Sequence, residues 1–520
     1  MADWSYERLY DFGAGMYRLT SVIDPKFPDG AVYSATNMVY GGDSNNPEGM
    51  YGASRLGSTS MGSKPISGLF DFDKGTKLVA CSEDGKIYQY TSGDWAVESG
   101  ARATGNSTTA NVRWGGVMFY GQTSSKNLLV MCNDDDGDDP VKYDGTDATA
   151  LGGSPPGNGK FPVAWQGRCW MADLSTLYYS AVDDCEDWST GGGGGTISIY
   201  RGFDGEITGL KAFANQLFIF KRSSVFRIGP TASFSQLNVR NVSQVNGCIS
   251  HQTLAEGEIG DRNVLFWISE HGIEAIGPST ASAGFEPMDL ARNIKPYFEN
   301  RNVTGMQTSW GLFNLARKEY YAYYPSGTKT VPSIALVGNT ARPRRPARWT
   351  TIDKPNITSG VCFNENNNDY IQYVGDNNGA VYKMHDTDTV NWDGAPMLRR
   401  LLTKYYTQGA PEHMKRYGWT FVSADRYQTD SVNVRQIMLR QGLPAQEGNT
   451  SAYDVPGALG WGKGEWGSEP WGGTGEVGTR IRPPSASRAA GMQMLIEGNT
   501  WWKLKGLVIA SRRRSDKVAA

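Results

Sequence analysis

Strand-length apolar runs recur along this chain in pairs joined by tight turns, and that grammar restricts its fold more than any other feature. The stretch EITGLKAFANQLFIFKRSSVFRIG, Glu206 to Gly229, holds two such runs, Gln216 to Phe220 and Ser224 to Ile228, around a Lys221-Arg222 turn. A lone hairpin is marginal in water, so this one needs neighbours. ISGLFDFDKGTKLVACSEDGKIYQY, Ile66 to Tyr90, repeats the pattern: Ile66-Ser67-Gly68-Leu69 parallels Ile207-Thr208-Gly209-Leu210. Its second hairpin turns on Asp84-Gly85, a dipeptide suited to two-residue turns. Related units lie at 115–145, 165–188, 264–277, 312–325 and 357–384.

A repeat of roughly 40–50 residues with about four strands each is that of β-propeller blades. Six or seven blades fit, depending on whether 305–350 completes one. Glycines at Gly68, Gly116, Gly167, Gly209, Gly260, Gly311 and Gly360 fall into a similar register. With 64 glycines in 520 residues that register alone carries little, and the strand-turn-strand pattern carries the assignment. Some units close alike, at Gly93-Asp94-Trp95, Glu186-Asp187-Trp188 and Asn391-Trp392-Asp393. Neither the Gly-His…Trp-Asp signature nor the double-glycine kelch signature is present.

Helical periodicity is confined to EPMDLARNIKPYFEN, Glu286 to Asn300, which predicts a short helix stopping near Pro296. The fold class is therefore all-β. The blade rhythm spans 61–395 and fades beyond Pro396. Residues 396–520 read as a separate β-sandwich-like module, completed by strands from the extended strap 1–60.

The charge is balanced, with 51 basic and 53 acidic residues, which argues against tight nucleic-acid binding. No apolar run approaches the ~18 residues of a membrane span. The opening MADWSYERLYDFGAG lacks the basic and apolar segments of an export signal. Six scattered cysteines without a CxxC pair predict buried, reduced thiols, and four scattered histidines give zinc little support.

Candidate chemistry is sparse. The acidic run 133–139 offers carboxylates to calcium but lacks the EF-hand glutamate, and a solvated hairpin tip is the simpler expectation. GSPPGNGKF, Gly153 to Phe161, departs from a phosphate loop: Phe161 stands where Ser or Thr would hold magnesium. It reads as a linker, and the pentaglycine Gly191 to Gly195 as a blade-to-blade connection. The basic stretch Ala341 to Trp349 and Arg512-Arg513-Arg514 could meet phosphates, or acidic patches on a neighbouring subunit. No GxSxG elbow, HExxH helix or sialidase aspartate box appears. No enzyme activity, cofactor or metal is expected.

Two regions carry a resemblance. Asp11 to Gly57 contains Pro28-Asp29-Gly30-Ala31 and Asn37, followed by an arginine and a glycine, in the manner of the opening of phage virion proteins. Glu186 to Pro230, followed by NGCISHQTLAEGEIGDRNVLFWISEHGIEAIG (Asn246 to Gly277), resembles the propeller of tail stabilisation or nozzle proteins of short-tailed bacteriophages. Together they cover about two-thirds of the chain, and residues 396–520 match less clearly. The resemblance implies a virion protein made in the host cytoplasm, forming a homo-oligomeric ring, most simply a hexamer, beneath the portal-adaptor complex. Fibres or spikes would be neighbours, and double-stranded DNA would pass transiently through the ring. A near-neutral wall suits that role, because each neutralised phosphate adds binding free energy that would slow ejection.

Two rival functions remain: a host-surface glycan-binding propeller and a propeller glycosidase. Trp461, Trp466 and Trp471 recur every five residues among glycines, so no regular strand or helix holds them on one face. At least two of them are expected at a contact between subunits or with another tail protein, since exposed aromatic clusters mark interfaces. A glycan binder would use the same segment.

Overall fold

The computed structural model describes the chain apart from residues 1–3, 25, 43, 124–126, 136, 201, 231–236, 280–283, 344–346, 355, 366–368, 411, 427–431, 440–445, 448–450, 454–476, 482–487 and 514–520. Strand takes 52 % of it and helix 3 %, so the chain is all-β. Seven four-stranded antiparallel units form a β-propeller. Their innermost strands are Ile66–Phe72, Trp114–Phe119, Lys160–Trp165, Ile207–Phe213, Ala255–Ile259, Trp310–Asn314 and Ile357–Glu365. The stretch 305–350 is a complete sixth blade.

The Ile-(Ser/Thr) opening of these strands has a structural reason. Pairing shifts register between Ile66 and Gly68, Ile207 and Gly209, and Ile357 and Ser359. Each shift is a β-bulge that leaves the intervening Ser67, Thr208 or Thr358 outside the ladder. Freed from it, Thr358 donates its hydroxyl to the Ile66 carbonyl of the next blade at 2.8 Å. Thr208 likewise donates to the Cys248 carbonyl at 2.6 Å. Five glycines of the sequence register lie in innermost strands: Gly68, Gly116, Gly209, Gly311 and Gly360. At Gly116 a Cβ would stand 2.7 Å from the Phe70 ring, which shows how closely neighbouring blades approach at the axis.

The ring closes with a strand from the opposite end of the chain. Gly52–Arg55 pairs with Val381–Asp386 as the outer strand of blade seven, and the chain then runs directly into blade one. Trp95 Nε1 donates to the Leu56 carbonyl at 2.8 Å, fastening that strap from the side of blade one.

The rest of the first 60 residues joins the C-terminal region in a sandwich. One sheet contains Ser5–Leu9, Lys415–Arg426 and Trp502–Arg513. The facing sheet contains Ala31–Thr36, Arg399–Thr403, Gly491–Gly498 and Val432–Leu439. Between them Val422, Val434, Met494, Leu507 and Ile509 are buried. The second sheet also continues into the propeller: Thr36 pairs in parallel with Thr351 of blade six, making one eleven-stranded sheet. Arg399, fully buried, bolts the junction by donating to the carbonyls of Met50, Val390, Met397 and Asn499 at 2.6–3.0 Å.

Four expectations need correction. Glu286 to Asp289 belongs to a strand, and the α-helix is only Pro296–Glu299, beginning at the proline instead of stopping there. Proline lacks an N–H that the first helical turn would leave unbonded anyway, so it starts helices well. The pentaglycine lies inside blade three, where Arg168 Nη1 holds the Gly193 carbonyl at 2.6 Å and Gly195 opens the outer strand. The three tryptophan closes are not equivalent. Trp95 is in an outer strand, whereas Trp188 and Trp392 lie in connections. In the basic stretch, Arg348 turns inward onto the Gly42 and Ser44 carbonyls, and Arg342 donates to the Gly13 carbonyl. These two arginines hold the chain's own N-terminal strap.

Candidate functional site

Trp461, Trp466 and Trp471 lie outside the described residues. The described part of the molecule draws attention to a different place, the propeller axis. A short turn, His251–Thr253, leaves the end of blade four and inserts between the innermost strands. Gln252 Nε2 donates to the Ser67 carbonyl of blade one at 2.7 Å and to the Trp114 carbonyl of blade two at 2.9 Å. The His251 ring packs on Phe161 of blade three, with centroids 5.0 Å apart. On the opposite side, the Tyr320 hydroxyl of blade six donates to the Thr253 carbonyl at 2.8 Å. Five blades are thus tied through three residues that follow no strand.

The turn is held in place from below its own sequence. Thr253 Oγ1 donates to the Ser250 carbonyl at 2.7 Å, and the backbone N–H of Cys248 donates to the Lys221 carbonyl at 3.0 Å. Burial, with the Lys211 ammonium nearby, pushes the His251 imidazole down to about 3, so the plug is neutral at physiological pH.

The plug divides the axial space. Where the innermost strands begin, a cavity of about 330 Å³ is lined by Arg113, Asp134, Lys160, Phe161, Glu206 and Gln252. On the far side, a cavity of about 420 Å³ is lined by Phe70, Asp71, Lys211, Glu256, Phe313 and Cys362. In the far cavity Lys211 and Glu256 stand 3.9 Å apart. In the near one, burial raises the Asp134 carboxyl above its usual range, against the pull of its hydrogen bond from the Arg113 backbone and of the Arg113 charge.

The acidic run is less solvated than the sequence suggests. Asp134 Oδ1 accepts the Arg113 backbone N–H at 2.7 Å, and Asp138 Oδ2 accepts that of Ser107 at 2.6 Å. Arg102 stands 3.8 Å from Asp138. The run is a hairpin tip, joining the paired strands Leu128–Asn133 and Val141–Tyr143, and its carboxylates staple the 102–113 connection. Among the described residues no group of three or more His, Cys, Asp or Glu could hold a metal ion. Gly153 to Gly159 connects blades two and three, and Phe161, already in the innermost strand of blade three, is turned against the plug. Of the six cysteines, Cys81, Cys132, Cys169, Cys185 and Cys248 are buried free thiols and Cys362 is half-buried. No helix among the described residues is long and apolar enough to cross a membrane.

Sequence reasoning missed His251 and Gln252 as a unit, although both lie in the NGCISHQTLAEG stretch that carried the phage resemblance. Their signal was an interruption: a polar run between two blades too short to hide in a loop.

No family model matches the sequence, and no curated protein matches it. Among solved structures the chain is similar to that of U3-55K, at 8 % identity and a TM-score of 0.40, over 64 % of this chain and 98 % of the other. It is also similar to the Cps50 (Swd1) β-propeller domain of Myceliophteria thermophila, at 10 % identity and a TM-score of 0.40, over 66 % of this chain and all of that one.

Proposed function

We propose that this chain is a structural subunit of a short phage tail. Copies, six by the resemblance, close into a ring beneath the portal adaptor, and the genome is retained in and ejected through the bore between them. The observation that carries this reading is the continuous sheet from blade six into the sandwich, bolted by Arg399. It makes two lobes into one stiff block, as the wall of a conduit under genome pressure requires. The neutral plug agrees with it, because the propeller's own axis is closed and the passage must run between copies. In this role the chain needs no covalent chemistry, and the carboxylates of the acidic run serve to hold a connection.

Balanced charge makes the wall a poor binder of the duplex. Affinity for double-stranded DNA at physiological salt should be no tighter than the non-specific range of roughly 10⁻⁴ to 10⁻⁶ M. A mobility-shift titration tests this, and nanomolar binding would remove the low-friction wall from the account.

A second reading, a host-surface glycan binder, draws on the cavity of about 330 Å³, where the Phe161 ring stands beside the Asp134 and Glu206 carboxylates. Mixed aromatic and polar linings suit small polar ligands. Sugar binding abolished by Glu206→Gln, in a protein that forms no ring, would favour it.

A further inference from the structure

The outer face of the seven-stranded sandwich sheet departs from what a solvated sheet shows. An antiparallel sheet with one packed face normally turns polar residues to water. Here Leu9, Leu507 and Ile509 point into the sandwich, while the alternate positions carry aromatics and arginines. Tyr6 pairs with Ala510, Arg8 with Val508, and Phe421 with Val508 from the other side. Trp4, Tyr6, Trp419 and Phe421 are 39 %, 59 %, 45 % and 38 % exposed. Four large aromatics on one face form an apolar patch of the kind that marks an interface.

Three arginines, Arg8, Arg416 and Arg512, gather at one end of this face, while Asp425 nearer its other end is paired with Lys505 at 2.9 Å. Arg416 and Arg512 stand directly opposite in register, and like charges so placed repel. The Arg512 guanidinium lies over the Trp4 ring, 5.5 Å from its centre. Arg8, Arg416 and Arg512 have no ion pair among the described residues. The face is therefore complementary to an acidic, aromatic partner. The chain itself contains one: residues 454–476 carry Trp461, Trp466 and Trp471 with Asp454, Glu465, Glu469 and Glu476 against the single Lys463.

We propose that the arginine–aromatic face of one copy receives segment 454–476 of a second copy, and that this is the head-to-tail contact closing the ring. The inference rests on the ring reading above. A face and a segment are two different surfaces, as a heterologous, ring-closing contact needs. Arginine over tryptophan adds cation–π attraction, and the segment's carboxylates relieve the Arg416–Arg512 repulsion.

The test mixes two full-length chains, Trp419→Cys and Trp466→Cys, under mild oxidation, with the unsubstituted chain as control for the native thiols. A disulfide-linked heterodimer is expected from the mixture and from neither chain alone. In parallel, Arg416→Glu with Arg512→Glu should weaken assembly roughly tenfold or more, and Glu465→Arg with Glu469→Arg in the same chain should restore it. Arg416 is exposed and Arg512 half-buried, and folding of each variant is checked by an unchanged melting curve. A third chain carries both Trp419→Cys and Trp466→Cys: a cross-link formed only within that chain, with none between the two single variants, would seat the segment on its own copy and overturn the proposal. So would an absent cross-link in virions whose images show a ring, and in that case the ring reading would stand. Absence of any ring would sink the ring reading itself.

Discussion

Asp94 and Thr59 lock the propeller shut from outside. Asp94 Oδ1 accepts the Thr59 backbone N–H at 2.9 Å, and Oδ2 accepts its hydroxyl at 2.8 Å. Ser58 makes the same pair of bonds, at 3.0 and 2.8 Å. These four bonds catch the strap just after it completes blade seven and hold the Asp94 carboxyl well below its ordinary range. A carboxylate so lowered stabilises the fold above its unfolded pKa, and the contribution fades as pH falls through the folded one. Asp94→Ala should lower the melting temperature at pH 7, and the deficit should shrink in strong acid. Limited proteolysis should then cut within 56–65 faster. An unchanged cleavage rate would mean that strand pairing alone holds the closure.

Gln252 offers a second handle. Its side chain is the only described link from the plug to blades one and two that uses hydrogen bonds. Gln252→Ala should cost about 1–2 kcal/mol, since each net bond contributes on the order of 1 kcal/mol. It should leave oligomerisation intact, because the plug faces the axis and not a neighbour. Equal urea midpoints for variant and parent would show that the plug carries no load.

Glu274 gives a pH signature. Burial, with Asp289 nearby, raises its carboxyl to about 7 against hydrogen bonds from Ser269 and Asn246. The folded protein therefore holds a proton that the unfolded chain releases near its model value of 4.5. Stability from this group is complete below that value and is lost as pH rises to about 7. Glu274→Gln, which keeps the shape without the charge, should gain relative stability on going from pH 5 to pH 8. Parallel stability curves for variant and parent would refute the buried, protonated state.

Arg399 tests the coupling of the two lobes. Arg399→Met keeps the volume but strands four carbonyls, a loss on the order of 2–4 kcal/mol. Calorimetry should show one transition in the parent and two in the variant, one for each lobe. A single transition shifted as a whole would mean that the shared sheet suffices.

The fold was legible where local sequence and tertiary role coincide. Ile66-Ser67 and Ile207-Thr208 announced innermost strands because a bulge at the axis needs a small hydroxyl residue there. Asp84-Gly85 announced its hairpin because Gly85 takes a φ of 74°, which costs glycine little. The split outer strand of blade seven could not be read, because Gly52–Arg55 finds its partner about 330 residues later, beyond the reach of any local pattern. The helix misreading at Glu286 has the same origin: apolar residues at helical spacing also fit a strand whose partner, Ile273–Pro278, sits one hairpin upstream. At the candidate site the axial plug was invisible, because its value lies in carbonyls of distant blades. The Arg8, Trp419 and Arg512 face was missed because three separated strands build it.

The central claim is that copies of this chain form a conduit wall. Electron cryo-microscopy of intact virions, with the protein located by an antibody or a fused tag, tests it most directly. The account predicts a single ring on the tail axis below the portal adaptor, with a bore about as wide as duplex DNA and each propeller axis closed. Density for the protein in peripheral spikes, away from the axis and without a common bore, would contradict it.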